Sequence, residues 1–232
     1  EILHALADPI HAAGALLVSV TQESFAFGWL EAPGKVGADM ACGEAMSFGN
    51  RPNFGGPYLG FLAVKDAHKR EIPGRVVGQT KDLEGRTGYV LTLTAREQHI
   101  RRDKATSNIC SNQGLVALRA NIFLQLAGPE GLSGLAAQNA AKAQHLRERL
   151  LELPDFEPAF DVPFFNEFVL RYAGDPAALE AACLQEGLLP GLDLGRFYPE
   201  LAGCTLWCAT ETTPRSAIES LVEVLARVPA IL

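Results

Sequence analysis

Two apolar runs of strand length, separated by a crossover, constrain the fold of this chain more than any other feature. Residues 15–20 form the first run and residues 58–64 form the second. A run of this kind is expected in a strand that is buried on both faces of a parallel sheet. Strand, crossover and strand in that order are typical of a layered α/β domain. The sequence therefore predicts an α/β protein.

Helical patterns and two prolines divide the rest of the chain. Four side chains fall on one face of a predicted helix: Leu115, Leu118, Ile122 and Leu126. Gly128-Pro129 should end this helix, and a second long helix should follow it. Pro154 and Pro158 come after the second helix and mark a domain boundary. We therefore predict one domain over residues 1–154 and a small α/β domain over residues 155–232.

The dipeptide Asp175-Pro176 indicates the start of a helix in the small domain. Aspartate is a favoured N-cap residue, and proline is favoured at the first helical position. Gly187 should close this helix, because glycine readily adopts the left-handed conformation found after a helix end.

The charge balance and the cysteines exclude several classes of protein. The chain has 20 basic and 27 acidic side chains, so its net charge is 20 − 27 = −7 at pH 7. This balance argues against nucleic acid or an anionic membrane as the main partner. No apolar run approaches the roughly 18 residues needed to span a bilayer. The five cysteines lack the spacing of a metal site, so we expect reduced thiols and no metal ligands.

A charged segment contains the best candidate for an anion site. Four cations crowd into it: Arg96, Arg101, Arg102 and Lys104. Thr106, Ser107 and Asn108 follow at a predicted helix start, where hydroxyl, amide and backbone N–H groups suit an anion. A capped helix beside a solvated charged loop explains the same residues. Glu97 and His99 are a weaker acid–base pair.

The glycine-rich segment 43–60 also has two interpretations. Its glycines permit a close backbone approach, which a phosphate or a neighbouring chain can use, but glycine-rich loops are common. The sequence contains no nucleophile motif of a known class. Composition and spacing alone thus indicate a two-part α/β protein with one candidate anion-binding loop.

Three segments together resemble a known family. They are GEAMSFGNRPNFGGPYLGFLAV, PGRVVGQTKD and REQHIRRDKATSNICSNQ, in this order along the chain. They are similar to the N-terminal subunit of the glycine cleavage system P-protein, glycine decarboxylase, of the two-subunit bacterial type. The likeness covers about residues 14–152. The chain also opens at Glu1 inside an apparent helix, so we expect it to be the C-terminal portion of a longer subunit.

The resemblance implies a fold and a departure from catalysis. The implied fold is type I of the pyridoxal-phosphate-dependent transferases, with part of the large, mostly parallel-sheet domain followed by the small C-terminal α/β domain. Matching the glycine-rich turns places Met46 where the catalytic half of the family carries its cofactor-binding lysine. Val20 and Thr21 stand where an aspartate should face the pyridine nitrogen. We therefore predict a pseudo-active site, with no catalytic residue in this chain and no activity of the chain alone.

The resemblance also implies a role in a complex. With a lysine-bearing partner subunit that holds the pyridoxal phosphate, the chain would decarboxylate glycine and pass the aminomethyl group to the lipoyl arm of H-protein. Arg96, Thr106, Ser107 and Asn108 would reach the cofactor of that partner. The expected assembly is a cytoplasmic heterotetramer of glycine catabolism, and the isolated fragment should self-associate.

Two alternatives remain open at this point. One is a purely structural scaffold subunit that touches neither cofactor nor substrate. The other is a free-standing enzyme of the same fold, which needs a lysine near the glycine-rich turn. The nearest lysine, Lys65, lies past the following strand.

Overall fold

The computed structural model describes residues 2–74, 76–92, 98–105 and 113–228. The contacts within the chain divide it into two units. The first comprises residues 1–24 and 30–126, and the second comprises residues 25–29 and 127–232. The boundary predicted between residues 154 and 155 concerns the large and small domains of the family fold, and it stays a prediction.

Both units contain helices and strands. The helices are α1 (Ile2–Ala12), α2 (Gln98–Arg101), α3 (Gly114–Leu151), α4 (Pro176–Gln185) and α5 (Arg215–Leu225). The strands are β1 (Val18–Thr21), β2 (Met40–Glu44), β3 (Gly60–Val64), β4 (Val76–Lys81), β5 (Thr87–Thr92), β6 (Phe156–Pro158), β7 (Glu167–Tyr172), β8 (Leu192–Asp193) and β9 (Cys204–Cys208).

The first unit is built on a three-stranded sheet with the order β1-β2-β3. β1 and β2 are parallel, whereas β2 and β3 are antiparallel. A two-stranded antiparallel sheet of β4 and β5 belongs to the same unit. Within the part of the chain that the structure describes, β1 is not buried on both faces, because Val18 and Val20 are 47% and 63% exposed. The described residues leave the face of β1 that carries Val18 and Val20 largely exposed.

Asp39 ties α1, β1 and β3 together in the first unit. Its carboxylate accepts hydrogen bonds from the backbone N–H of Leu17 at 2.9 Å, from His11 Nε2 at 2.7 Å and from Lys65 Nζ at 2.8 Å. The Asp39 side chain is only 8% exposed. These donors, led by Lys65, hold the pKa of the Asp39 carboxyl well below its usual range.

The long helix α3 is interrupted where the sequence predicts an end. Gly128 has φ 62° and ψ −176°, outside the helical region, and Pro129 follows it. The first part of α3 therefore belongs to the first unit, and the part from residue 127 onward belongs to the second.

The second unit packs helices on an antiparallel sheet with the order β6-β7-β9-β8. Its core is formed by fully buried side chains, among them Leu150, Leu170, Leu179, Trp207 and Ile218. At the start of α4, the Asp175 carboxylate accepts a hydrogen bond of 3.0 Å from the backbone N–H of Ala177. The predicted cap is thus confirmed. Among the described helices, none has a stretch that is apolar enough over the length needed to cross a bilayer.

Candidate functional site

The carboxyl ends of β1 and β2 form the candidate site. Thr21 at the end of β1 lies in register with Gly43, one residue before the end of β2. In open α/β sheets, ligands bind outside the carboxyl ends of the parallel strands. This end of the sheet is therefore where the chemistry of the first unit should be sought.

Close approach of the two strands requires glycine at position 43. A Cβ atom at this residue would lie 1.8 Å from the carbonyl oxygen of Thr21 and 3.0 Å from Cε1 of Phe61. No side chain fits into that space without movement of the backbone. Gly43 therefore lets β1 and β3 flank β2 directly before the turn that follows.

Glu44 fixes the turn after β2. Its Oε1 accepts hydrogen bonds from the backbone N–H of Met46 at 2.9 Å and from that of Leu59 at 2.8 Å. The hydroxyl of Ser24, which is completely buried, donates to the main-chain oxygen of Glu44. A carboxylate bound to two backbone N–H groups gives strong, charge-assisted hydrogen bonds. The turn that carries Met46 is therefore held in place from inside the unit.

Met46 occupies this turn with a partly buried thioether side chain. A thioether has no amine and forms no covalent bond with an aldehyde. Val20 and Thr21, at the end of the neighbouring strand, carry no carboxylate that could hold a pyridine nitrogen protonated. The described residues at this end of the sheet do not fit a covalently held pyridoxal phosphate.

Lys65 lies at the other end of β2. Its Nζ donates to Oδ1 of Asp39 at 2.8 Å and to the main-chain oxygen of Gly37 at 3.1 Å. Asp39 immediately precedes β2, whereas Met46 follows it. Because five residues of strand extend about 13 Å, the amine of Lys65 lies far from the turn.

The predicted anion-binding residues fall outside the part of the chain that the structure describes. This holds for Arg96, Thr106, Ser107 and Asn108, and also for Glu97. Their predicted role therefore stays a prediction. The neighbouring Arg101 and Arg102 are described and exposed, and Arg101 Nε lies 3.6 Å from Oδ1 of Asp103. No group of three or more metal-ligating side chains is gathered among the described residues.

Sequence reasoning missed a second feature beside the turn. A cleft of about 320 Å³ lies between the loop that begins at Asn50 and the side chain of Arg119 on α3. The Asn50-Arg51 pair inside the glycine-rich segment was a local signal for a polar site. The contribution of Arg119 had no local signal, because this residue is far away in the sequence.

Comparisons with known proteins agree with this architecture. The sequence matches the family described as "Glycine cleavage system P-protein" over residues 1–225. It is 51% identical over 231 residues to the probable glycine dehydrogenase (decarboxylating) subunit 1 of Desulforamulus reducens, covering 100% of this chain and 51% of that protein. It is 50% identical over 222 residues to the protein of the same description from Moorella thermoacetica, covering 96% of this chain and 50% of the relative. The chain thus spans about half the length of the curated relatives that it matches.

Solved structures agree with the predicted fold class. The chain is similar to the crystal structure of glycine decarboxylase (P-protein) of the glycine cleavage system in inhibitor-bound form. The TM-score is 0.90 and the identity 42%, over 98% of this chain and 51% of that one. The cysteine desulfurase CsdA from Escherichia coli matches with a TM-score of 0.66 at 14% identity, over 97% of this chain and 54% of that one, which shows the fold alone. Fold type I of the pyridoxal-phosphate-dependent transferases is confirmed.

Proposed function

Because the chain belongs to the glycine cleavage system P-protein family, we propose that it is part of the non-catalytic subunit of a two-subunit glycine dehydrogenase (decarboxylating). In this proposal, a partner subunit supplies the lysine and holds the pyridoxal phosphate. The assembled enzyme decarboxylates glycine and transfers the aminomethyl group to the lipoyl arm of H-protein. We propose the cytoplasm as its location and a heterotetramer as its form.

The turn at Met46 is the observation that carries this proposal. Glu44 holds the backbone of the turn in an ordered conformation. The turn is therefore present, but its side chain at position 46 has no amine that could bind the cofactor. A catalytic subunit needs that amine, and a subunit that completes a partner's site does not. This combination supports a role as the second member of a pair.

In this proposal, residues of this chain contact the cofactor that the partner subunit holds. We propose that Arg96, Thr106, Ser107 and Asn108 bind and orient the phosphate group that the partner subunit holds. Arginine offers a planar pair of N–H donors, and the hydroxyl and amide side chains offer further donors to phosphate oxygens. Their task is positioning, because none of them supplies the missing amine.

A free-standing enzyme is not favoured by the position of Lys65. Its amine is paired with Asp39 at the opposite end of β2 from the turn. Moving it to the turn would break the contacts that Asp39 makes with α1 and β1. A purely structural scaffold remains the competing function, and it differs from our proposal in one measurable respect.

Alanine variants of the charged loop separate a site contributor from a scaffold. Arg96→Ala, Thr106→Ala, Ser107→Ala and Asn108→Ala are each assembled with the lysine-bearing subunit, and both glycine–CO2 exchange and retention of pyridoxal phosphate are measured. Loss of one charge-assisted hydrogen bond, about 1.5–3 kcal/mol, predicts a loss of roughly ten- to a hundredfold. Arg70→Ala, an exposed arginine of the same unit, is the charge-matched control. Full activity with all four residues changed leaves only the scaffold.

A further inference from the structure

The cleft beside the glycine-rich turn has the lining of a binding site. It has a volume of about 320 Å³, near the lower end of the range of about 300–1,000 Å³ for small-molecule sites. Six residues line it: Asn50, Arg51, Pro52, Asn53, Pro57 and Arg119. All of them belong to the first unit, so the cleft is formed within one folded unit.

Asn50 lines this cleft and carries an unpaired acceptor atom. The residue is only 8% exposed, and its Nδ2 donates a hydrogen bond of 3.3 Å to the main-chain oxygen of Phe48. Its Oδ1 is buried and has no hydrogen-bond partner among the described residues. A buried acceptor without a donor costs free energy. A ligand that brings an N–H or O–H group to this atom would remove that cost.

Two arginines give the cleft a positive charge. Arg51 and Arg119 are both exposed, and no acidic side chain is among the lining residues. Arg119 donates one hydrogen bond of 3.0 Å to the main-chain oxygen of Gly49, which orients its guanidinium beside the loop. Guanidinium groups present paired donors that match the oxygen atoms of carboxylate and phosphate groups. The cleft therefore favours an anion.

Contacts with α3 and with the turn at Met46 fix the start of the loop that lines the cleft. Gly49 has φ +77°, and a Cβ atom there would lie 2.8 Å from Cβ of Phe123 on α3. The rings of Phe48 and Phe123 stack with centroids 6.4 Å apart. The backbone N–H of Asn50 donates to the carbonyl oxygen of Met46 at 3.0 Å. A site whose geometry is fixed before binding loses less entropy when the ligand arrives.

We propose that this cleft binds a small oxyanion that carries its own hydrogen-bond donor, of which hydrogen phosphate is the simplest example. The arginines bind the anionic oxygens, and the donor of the ligand reaches Oδ1 of Asn50. An acidic side chain of a partner protein would bind the arginines but would not donate to Oδ1 of Asn50, because an ionised carboxylate is only an acceptor. The assignment goes beyond the proposed function and rests only on residues of this chain.

Phosphate and sulfate provide a direct test, because they have similar size and shape. At neutral pH, hydrogen phosphate keeps one O–H group, and sulfate keeps none. Calorimetric titrations of the protein as its gene encodes it, at equal ionic strength, should show phosphate binding at least about tenfold more tightly than sulfate. Asn50→Leu removes the acceptor and should bring the two affinities together.

Charge variants test the other half of the site. Arg51→Gln and Arg119→Gln should weaken both anions, and the double variant should abolish binding. Arg70→Gln changes an exposed arginine outside the cleft and should leave both affinities unchanged. If Asn50→Leu does not fold, as judged by circular dichroism, the phosphate and sulfate affinities of the unaltered protein still test the proposal. Equal affinities for phosphate and sulfate, or full binding by the double variant, would overturn the proposal.

Discussion

Lys65 Nζ lies 2.8 Å from Oδ1 of Asp39, in an ion pair at the amino end of β2. Lys65 is the first lysine after the glycine-rich segment, and its amine is bound at the end of β2 opposite to the turn. The turn itself carries Met46, whose backbone N–H is bound by Glu44. The turn therefore carries no amine of its own, and the ion pair with Asp39 holds the amine of Lys65 at the opposite end of β2.

We expect this protein to form no covalent adduct with pyridoxal phosphate at Lys65 or Lys104. The protein is mixed with an equimolar amount of the cofactor and reduced with borohydride, and its peptides are analysed by mass spectrometry. The lysine-bearing subunit that we propose as the partner, purified and treated in the same way, is the positive control. A stoichiometric phosphopyridoxyl group on Lys65 would show that the ion pair with Asp39 opens and that the chain has an active site of its own.

Acid should destabilise the first unit through Asp39. The pKa of this carboxyl is lowered from 3.8 in the folded state, chiefly by the hydrogen bond from Lys65. Its ionised form therefore stabilises the fold fully above pH 3.8, and this contribution is lost as the pH falls through the lower, folded-state value. Urea unfolding at neutral pH should show that Asp39→Asn is less stable than the unaltered protein. The difference should shrink in acid.

An exposed carboxylate provides the control for this prediction. Asp66 pairs with Lys69 three residues later, and its side chain is 87% exposed. Exposed pairs of this kind contribute little to folding, so Asp66→Asn should unfold at nearly the same urea concentration as the unaltered protein. If Asp39→Asn behaved like Asp66→Asn at every pH, Asp39 would not tie the unit together.

Local sequence signals predicted the parts of the fold that depend on neighbouring residues. Asp175 caps α4 because a carboxylate two residues before Ala177 can reach its N–H group, and Gly128 interrupts α3 because it takes a left-handed φ before a proline. The resemblance likewise located Met46 in the turn after a strand, where the structure places it.

Contacts between distant residues were beyond those signals. The donors to Asp39 come from residues 22 to 28 positions away, and Arg119 meets Gly49 across 70 positions. Neither helical nor strand periodicity encodes such distances. The cleft at Asn50 was therefore missed, although its loop had been recognised as glycine-rich. An apolar run likewise specifies a strand but not what covers it, and Val20 is 63% exposed in this chain.

Glycine at position 43 should be essential for stability, whereas another strand glycine should not be. Gly43→Ala forces a Cβ atom against the carbonyl oxygen of Thr21 and should cost at least about 1–3 kcal/mol of the free energy of unfolding. Gly88→Ala in β5 meets no atom within 4 Å and should be nearly neutral. Denaturant unfolding of both variants measures the difference. Equal losses of unfolding free energy in the two variants would mean that the close approach of β1 and β2 does not require glycine at position 43.

The 232-residue chain should self-associate through the exposed face of its three-stranded sheet. Val20, Cys42 and Leu62 lie in one register row across the sheet, and Val20 and Leu62 are 63% and 48% exposed. Val18 is also 47% exposed on β1, and β1 is the edge strand of this sheet as described. Contiguous apolar surface and an unpaired strand edge both favour association between copies.

Light scattering over a dilution series of the chain measures this association, and the average mass should fall as the chain is diluted. Val20→Lys puts a charge on the apolar face and should shift the protein towards the monomer. Val77→Lys is the matched control, because Val77 is 60% exposed but lies on β4, in the other sheet of the unit. The net charge of −7 keeps the assembly in solution without preventing contact. A monomeric mass at every concentration would mean that the exposed face of β1 and β3 is stable in water without a partner.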